Sequence, residues 1–229
     1  MKLLALDTAT EACSAALMVD DTLHSRFELA PRAHAQMILP MIDEVLGEAR
    51  INKHDLDALA FGRGPGSFTG VRVAASVAQG IAFGLNIPVI PVSTLSALAL
   101  QAMSVFGSEH VLAAIDARMK EVYWCEYRSE HGLPVALTTE QVIPPAEVPL
   151  PSDTQCTGAG SGWEAYRQEL DERLGSYMVQ VHADLLPRAE EIALIARPEF
   201  GAGRVLPPEQ AQPVYLRDNV ARKKGEQAG

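Results

Sequence analysis

Residues 3–17, LLALDTATEACSAAL, and residues 111–127, VLAAIDARMKEVYWCEY, share one plan: an apolar strand ending in aspartate, a short polar turn, and a second apolar strand. Asp116 falls where Asp7 falls. Two such starts in one chain mark an internal duplication and predict two related lobes, one over 1–106 and a second, degenerate one over 107–229, with the boundary near Phe106 to Glu109.

Outward from the first stretch, TLHSRFEL completes a three-stranded meander, with Asp20-Asp21 as the tight connection. From Ala33 to Arg50 the spacing becomes helical: Ile38, Ile42, Val45 and Ala49 share a face, Met37 and Met41 lie beside it, and Pro40 removes one donor and predicts a bend. A strand over Asp57 to Gly62, a glycine loop, a helix to about Gly84, the strand IPVIPV and a helix over Thr94 to Val105 follow. The order β-β-β-α-β-α-β-α implies a mixed sheet with helices on its faces. In the second lobe, the prolines of Ile143 to Asp153 predict loop or edge structure. TQCTGAGSGWEAYRQELDERLG reads as strand, glycine turn and a helix with Trp163, Tyr166 and Leu170 on one face. A helix over Arg188 to Ala196 and the tail PVYLRDNVA end the chain and are free to pack back on the first lobe.

The 229 residues are 48% hydrophobic and 21% charged, ordinary for a globular protein. Asp7 and Glu11 interrupt any leader-like apolar region, so the expected location is cytoplasmic, with no membrane association. Cys13, Cys125 and Cys156 are far apart and odd in number, which argues against a disulfide framework. A net charge of −10 argues against a chain that grips nucleic acid unaided; the one basic cluster, Arg217, Arg222, Lys223 and Lys224, lies at the C-terminus, where a solvated tail is the simplest reading.

FGRGPGSFTGVR, residues 61–72, looks at first like a phosphate loop. It lacks the lysine of G-x-x-x-x-G-K-[ST], and its glycines do not have the dinucleotide spacing. It fits a strand-to-helix turn in which Pro65 fixes φ, Gly64 and Gly66 supply positive φ, and Ser67 or Thr69 caps the helix. In that helix only Arg72, Ser76 and Gln79 are strongly polar, and Gly70, Ala74, Ala75, Ala78 and Ala82 would let another backbone come close, so the helix is expected to be buried on both sides. Packing against the 33–50 helix in one core is one outcome; a joint partner-binding surface is the sharper one.

LALDTATEACSAAL, LPMIDEVL, FGRGPGSFTGVRVA, IDARMKEVYW and PVYLR together resemble the TsaB (YeaZ) family over nearly the whole chain. The resemblance implies an α/β, actin-like and sugar-kinase-like (ASKHA) fold of two RNase-H-like lobes. It further implies a non-catalytic accessory subunit of bacterial tRNA N6-threonylcarbamoyladenosine formation at adenosine 37, related to the catalytic subunit TsaD. TsaD, the ATPase TsaE and a second copy of the chain are the implied partners, and tRNA is reached through the complex. The partner face is expected on helices 33–50 and 70–85, through His34, Met37, Ile38, Met41, Arg72, Ala75, Ser76, Ala78, Gln79 and Ala82, with arginine at Ala75 or Ala78 expected to abolish assembly. The catalytic relative carries a histidine pair at the positions of Thr94 and Leu98, and leucine offers no donor atom, so no metal site is expected. In this fold Asp7, Thr8, Asp116, Gly158 and Gly160 would stand near phosphates, as a vestigial site with weak ATP or ADP binding at most. Two rival readings remain: a small-molecule kinase using Asp7 and Asp116 around magnesium ATP, and, last, a metal-dependent peptidase.

Overall fold

A computed structural model describes residues 1–217; Arg222, Lys223 and Lys224 lie outside the described residues. The first sheet is formed by β1 (Lys2–Asp7), β2 (Ala12–Val19), β3 (Thr22–Leu29), β4 (Ala58–Gly64) and β5 (Val89–Ser93), in the order β3-β2-β1-β4-β5. Strands β1 to β3 form the antiparallel meander, while β4 and β5 run parallel to β1. The second sheet repeats this plan. Strands β6 (His110–Asp116), β7 (Val122–Glu130), β8 (Leu133–Ala136), β10 (Cys156–Ala159) and β11 (Met178–His182) lie in the order β8-β7-β6-β10-β11, with the same parallel and antiparallel relations, and β9 (Gln141–Ile143) continues the outer edge of β7 beyond β8. Strand for strand, β6 answers β1 and β10 answers β4. This is the two-lobed actin-like, RNase-H-like α/β architecture.

The helices α1 (His34–Ala49) and α2 (Phe68–Leu85) lie on one face of the first sheet, where Ile38, Val45, Ala74 and Ala78 meet Leu4, Leu6 and Phe61. Helix α1 continues through Pro40, which sits on its exposed side. Helix α3 (Thr94–Phe106) follows the first sheet in sequence yet packs on the second, through Leu95, Leu98 and Ala102 against Val111, Ala113 and Ala159. Reciprocally, α6 (Ala189–Gly201) follows the second sheet and packs on the first, through Ile192, Ala193 and Ala196 against Leu3, Ala5 and Ile90. Helices α3 and α6 also touch each other, so they form the layer between the two sheets. That position explains why every residue of α3 from Thr94 to Met103 is buried. The helix buried on all sides is therefore α3, not α2, whose second side faces outward.

Two short helices, α4 (Gly162–Ala165) and α5 (Arg167–Leu174), cover the far face of the second sheet around Trp163 and Leu170. The single helix expected there is broken at Tyr166, whose hydroxyl donates to Asp116 Oδ1 at 3.0 Å. Among the described residues of this lobe no long helix answers α1; the proline-bearing segment takes its place, with Val148 in the core. After α6 the chain returns to the first lobe: Leu206 makes an antiparallel bridge to Val89 on the edge of β5, and the Val214 N–H donates to the Arg63 carbonyl at 2.8 Å. Arg217 then reaches Glu121 of the second lobe, so residues 213–217 cross from one lobe to the other. Helix α2 has the length and composition of a membrane span, but Ala74, Ala75, Ala78 and Ala82 lie in the core against the sheet.

Candidate functional site

Strand β1 delivers Asp7 to the turn that leads into β2, and the glycine loop closes over that turn. Asp7 and Thr8 have no exposed surface. Asp7 Oδ1 accepts the Ala9 N–H at 3.0 Å, while Oδ2 is buried without a partner. Burial pushes the carboxyl up to about 7, with the Ala9 N–H pulling the other way. Thr8 Oγ1 donates to the Gly70 carbonyl at 2.7 Å, and the Ser67 N–H donates to the Ala9 carbonyl at 2.7 Å. A Cβ on Gly62 would overlap the Asp7 carboxylate, and one on Gly66 or Gly70 would overlap the carbonyl of Ala9 or Thr8. Gly64 has φ of +99° and faces the Val214 carbonyl. Only Gly64 meets the expectation of positive φ; Gly66 is required for space. Ser67, not Thr69, caps α2. The loop's glycines thus serve close packing between the aspartate turn and residue 214, with Asp7 and Thr8 beneath.

The equivalent turn of the second lobe is filled by its own side chains. Asp116 accepts from Tyr166, from the Arg118 N–H at 2.8 Å and from the Arg118 guanidinium at 2.7 Å. Gly158 lies under the Trp163 ring, and Gly160, with φ of +100°, lies against Leu98 and the Ala114 carbonyl and donates its N–H to His182. Asp7 with Thr8 and Asp116 with Gly158 and Gly160 therefore belong to two different turns, one per lobe, and only the Asp116 carboxylate has partners on both oxygens. Thr94 opens α3 with its hydroxyl buried, and Leu98 is wholly buried. Among the described residues no three His, Cys, Asp or Glu side chains are grouped to hold a metal.

The residues expected at a partner face divide in two. Ile38, Met41, Ala75, Ala78 and Ala82 lie in the lobe's own core beneath α1 and α2, so they cannot form an outer surface, and arginine at Ala75 or Ala78 would unfold the lobe rather than report on assembly. His34 and Met37 are half-buried, Arg72 lies over the Phe68 ring, and Gln79 donates to the Pro208 carbonyl. Only Ser76 of the ten is fully outward. The outer face of α2 runs instead through Ser76, Gly80, Phe83 and Gly84, and that of α1 through Leu39, Pro40, Asp43 and Gly47. Phe83 is 73% exposed and Leu39 50%, and nothing lies within 4 Å of a Cβ placed on Gly47, Gly80 or Gly84. A signal for this face was present in the sequence: glycines inside helices, away from any turn, at the spacing of a helix face.

A family model described as TsaD, tRNA N6-adenosine threonylcarbamoyltransferase, matches residues 18–224. A protein of Escherichia coli named "tRNA threonylcarbamoyladenosine biosynthesis protein TsaB" is 47% identical over 229 residues, covering 98% of each chain. The chain belongs to the TsaB family. Its counterpart of the same name in Haemophilus influenzae is 42% identical over 98% of this chain and 97% of its own. The solved structure of YeaZ from Pseudomonas aeruginosa, 47% identical, superposes with a TM-score of 0.89 over 94% of this chain and 99% of its own. Family membership accounts for the match to the TsaD model as well, since both describe the same two-lobed fold.

Proposed function

We propose that this chain acts in tRNA threonylcarbamoyladenosine formation as a non-catalytic, cytoplasmic scaffold, which docks the outer faces of α1 and α2 on the related helices of a TsaD-type catalytic subunit. The names of the relatives support the process, and the TsaD-type match supports a partner of like architecture. One observation carries the docking: Gly80 and Gly84 stand open on a helix beside exposed Phe83. Glycine inside an exposed helix costs about 1 kcal/mol relative to alanine, a cost that makes sense where a second helix must come close. Without TsaD, the same face would pair with a second copy about a two-fold axis. TsaE would join through the catalytic subunit, and tRNA would be bound by the assembly. The sealed Asp7 turn and the Leu98 position support a non-catalytic role, since a magnesium or phosphate group could reach Asp7 only by displacing the glycine loop.

Gly80→Arg tests this directly. The side chain has open space in the free protein and arginine is the better helix former, so the free variant is expected to melt no lower than the wild type, yet to leave a charge unpaired in the interface and weaken association by about 3–5 kcal/mol. Light scattering after size exclusion, on the chain alone and mixed with TsaD from the same organism, would then show monomers where the wild type shows a homodimer and a mixed complex. Unchanged assembly would place the interface elsewhere.

A further inference from the structure

Where residues 213–217 cross between the lobes, the side chains they meet bring exposed rings and cations together. Phe68, 60% exposed at the start of α2, and Tyr215, 46% exposed, have ring centroids 6.1 Å apart. The Arg72 guanidinium lies 3.2 Å from the Phe68 centroid and 4.9 Å from that of Tyr215, making a cluster of one cation and two rings inclined at 40° to each other. Two residues further on, Arg217 donates to the Arg118 carbonyl at 3.4 Å and pairs with Glu121. It thereby holds the β6–β7 turn, in which Arg118, Met119 and Lys120 all have left-handed backbone, with φ of 60°, 55° and 64°. Three consecutive non-glycine residues in that region are strained, and all three are exposed. Arg63, whose carbonyl binds residue 214, pairs with Glu140 at 3.0 Å. Four residues of extended chain span only about 13 Å. Around this crossing Arg63, Arg118 and Arg217 pair with Glu140, Asp116 and Glu121, while Arg72 and Lys120 enter no ion pair among the described residues, which leaves two positive charges there in a chain whose net charge is −10.

We infer that the Phe68–Arg72–Tyr215 cluster and the Arg118–Lys120 turn together form a contact surface for single-stranded RNA. Exposed rings take unpaired bases on the faces that Arg72 leaves uncovered, and Arg72 and Lys120 neutralise phosphates, the two elements by which single strands are held without sequence preference. The inference goes beyond the docking reading, and the two fail separately: light scattering reports docking, and RNA binding reports this surface.

The test uses the full chain and a fluorescein-labelled tRNA anticodon stem-loop at about 50 mM salt, read by anisotropy and by ultraviolet cross-linking with peptide mapping. Cross-links are expected on Phe68 or Tyr215, and the Phe68→Ala/Tyr215→Ala variant is expected to bind about tenfold more weakly. Lys120→Glu, at an exposed position that enters no ion pair among the described residues, should weaken binding and lower the slope of log Kd against log salt by about 1, whereas Arg167→Glu on α5 should change neither. Absence of RNA binding, cross-links confined to other segments, or loss of TsaD association with RNA binding intact in the aromatic variant would each overturn the inference, the last in favour of a protein contact.

Discussion

Gly70→Ala is expected to destabilise the protein by about 3 kcal/mol or more, lowering the melting temperature by roughly 6–12 °C. Two effects of opposite sign meet at this position. Alanine is better than glycine inside a helix by about 1 kcal/mol, which by itself would stabilise α2. Against that, the new Cβ would overlap the Thr8 carbonyl, and neither side can yield freely. Thr8 Oγ1 holds the Gly70 carbonyl, and the Ser67 N–H holds the Ala9 carbonyl, so the loop and the turn are tied together on both sides of the clash. Gly80→Ala, ten residues along the same helix, is the control: nothing lies within 4 Å, the propensity term stands alone, and the free chain should gain about 0.5–1 kcal/mol. Thermal melts of the two variants read the difference. A tolerated Gly70→Ala would mean that the loop does not pack on the aspartate turn as described.

The same contrast shows how far the sequence could be read. The duplication was legible because strand, aspartate and turn recur in order, and the observed sheets repeat strand for strand from β1 and β6 onward. The glycine loop was legible as a turn, because the residues a phosphate loop needs are missing. What local pattern could not supply was which surface covers which. Helices α3 and α6 exchange lobes, and no feature of TLSALALQAMSVF says that its second face will be a sheet assembled from later residues. For the same reason α2 read as buried all round: alanines that face its own sheet and glycines that face outward look alike as small residues. The proposed partner residues then fell on the wrong side, with Ala75, Ala78 and Ala82 in the core while Gly80, Phe83 and Gly84 form the outer face. The break at Tyr166 was equally hidden, and the carboxylate that its hydroxyl reaches, Asp116, lies fifty residues earlier in the chain.

Asp7→Asn should stabilise the protein at pH 8 and leave it nearly unchanged near pH 4. Burial raises the Asp7 carboxyl to about 7 in the folded protein, against an ordinary value of 3.8. Between those values the unfolded chain has lost the proton and the folded chain keeps it, so the native state binds more protons and stability falls as pH rises. The favourable contribution of the neutral acid is complete below about pH 4 and gone above about pH 7, a change of up to about 4 kcal/mol if the shift is fully expressed. Asparagine keeps the oxygen that accepts the Ala9 N–H and never ionises, so it should gain about 2–4 kcal/mol at pH 8. Glu191, also raised to about 7 by burial, slopes the same way and remains in this variant; Asp7→Asn/Glu191→Gln should flatten the profile further. Melting curves at pH 4, 6 and 8 decide it, and a gain that is equal at all three would show that the Asp7 proton is not the cause. The same measurement bears on function. Magnesium needs an ionised oxygen ligand, so the burial that raises Asp7 to about 7 works against metal at the aspartate a phosphate-handling lobe would use, and does so most strongly below neutral pH.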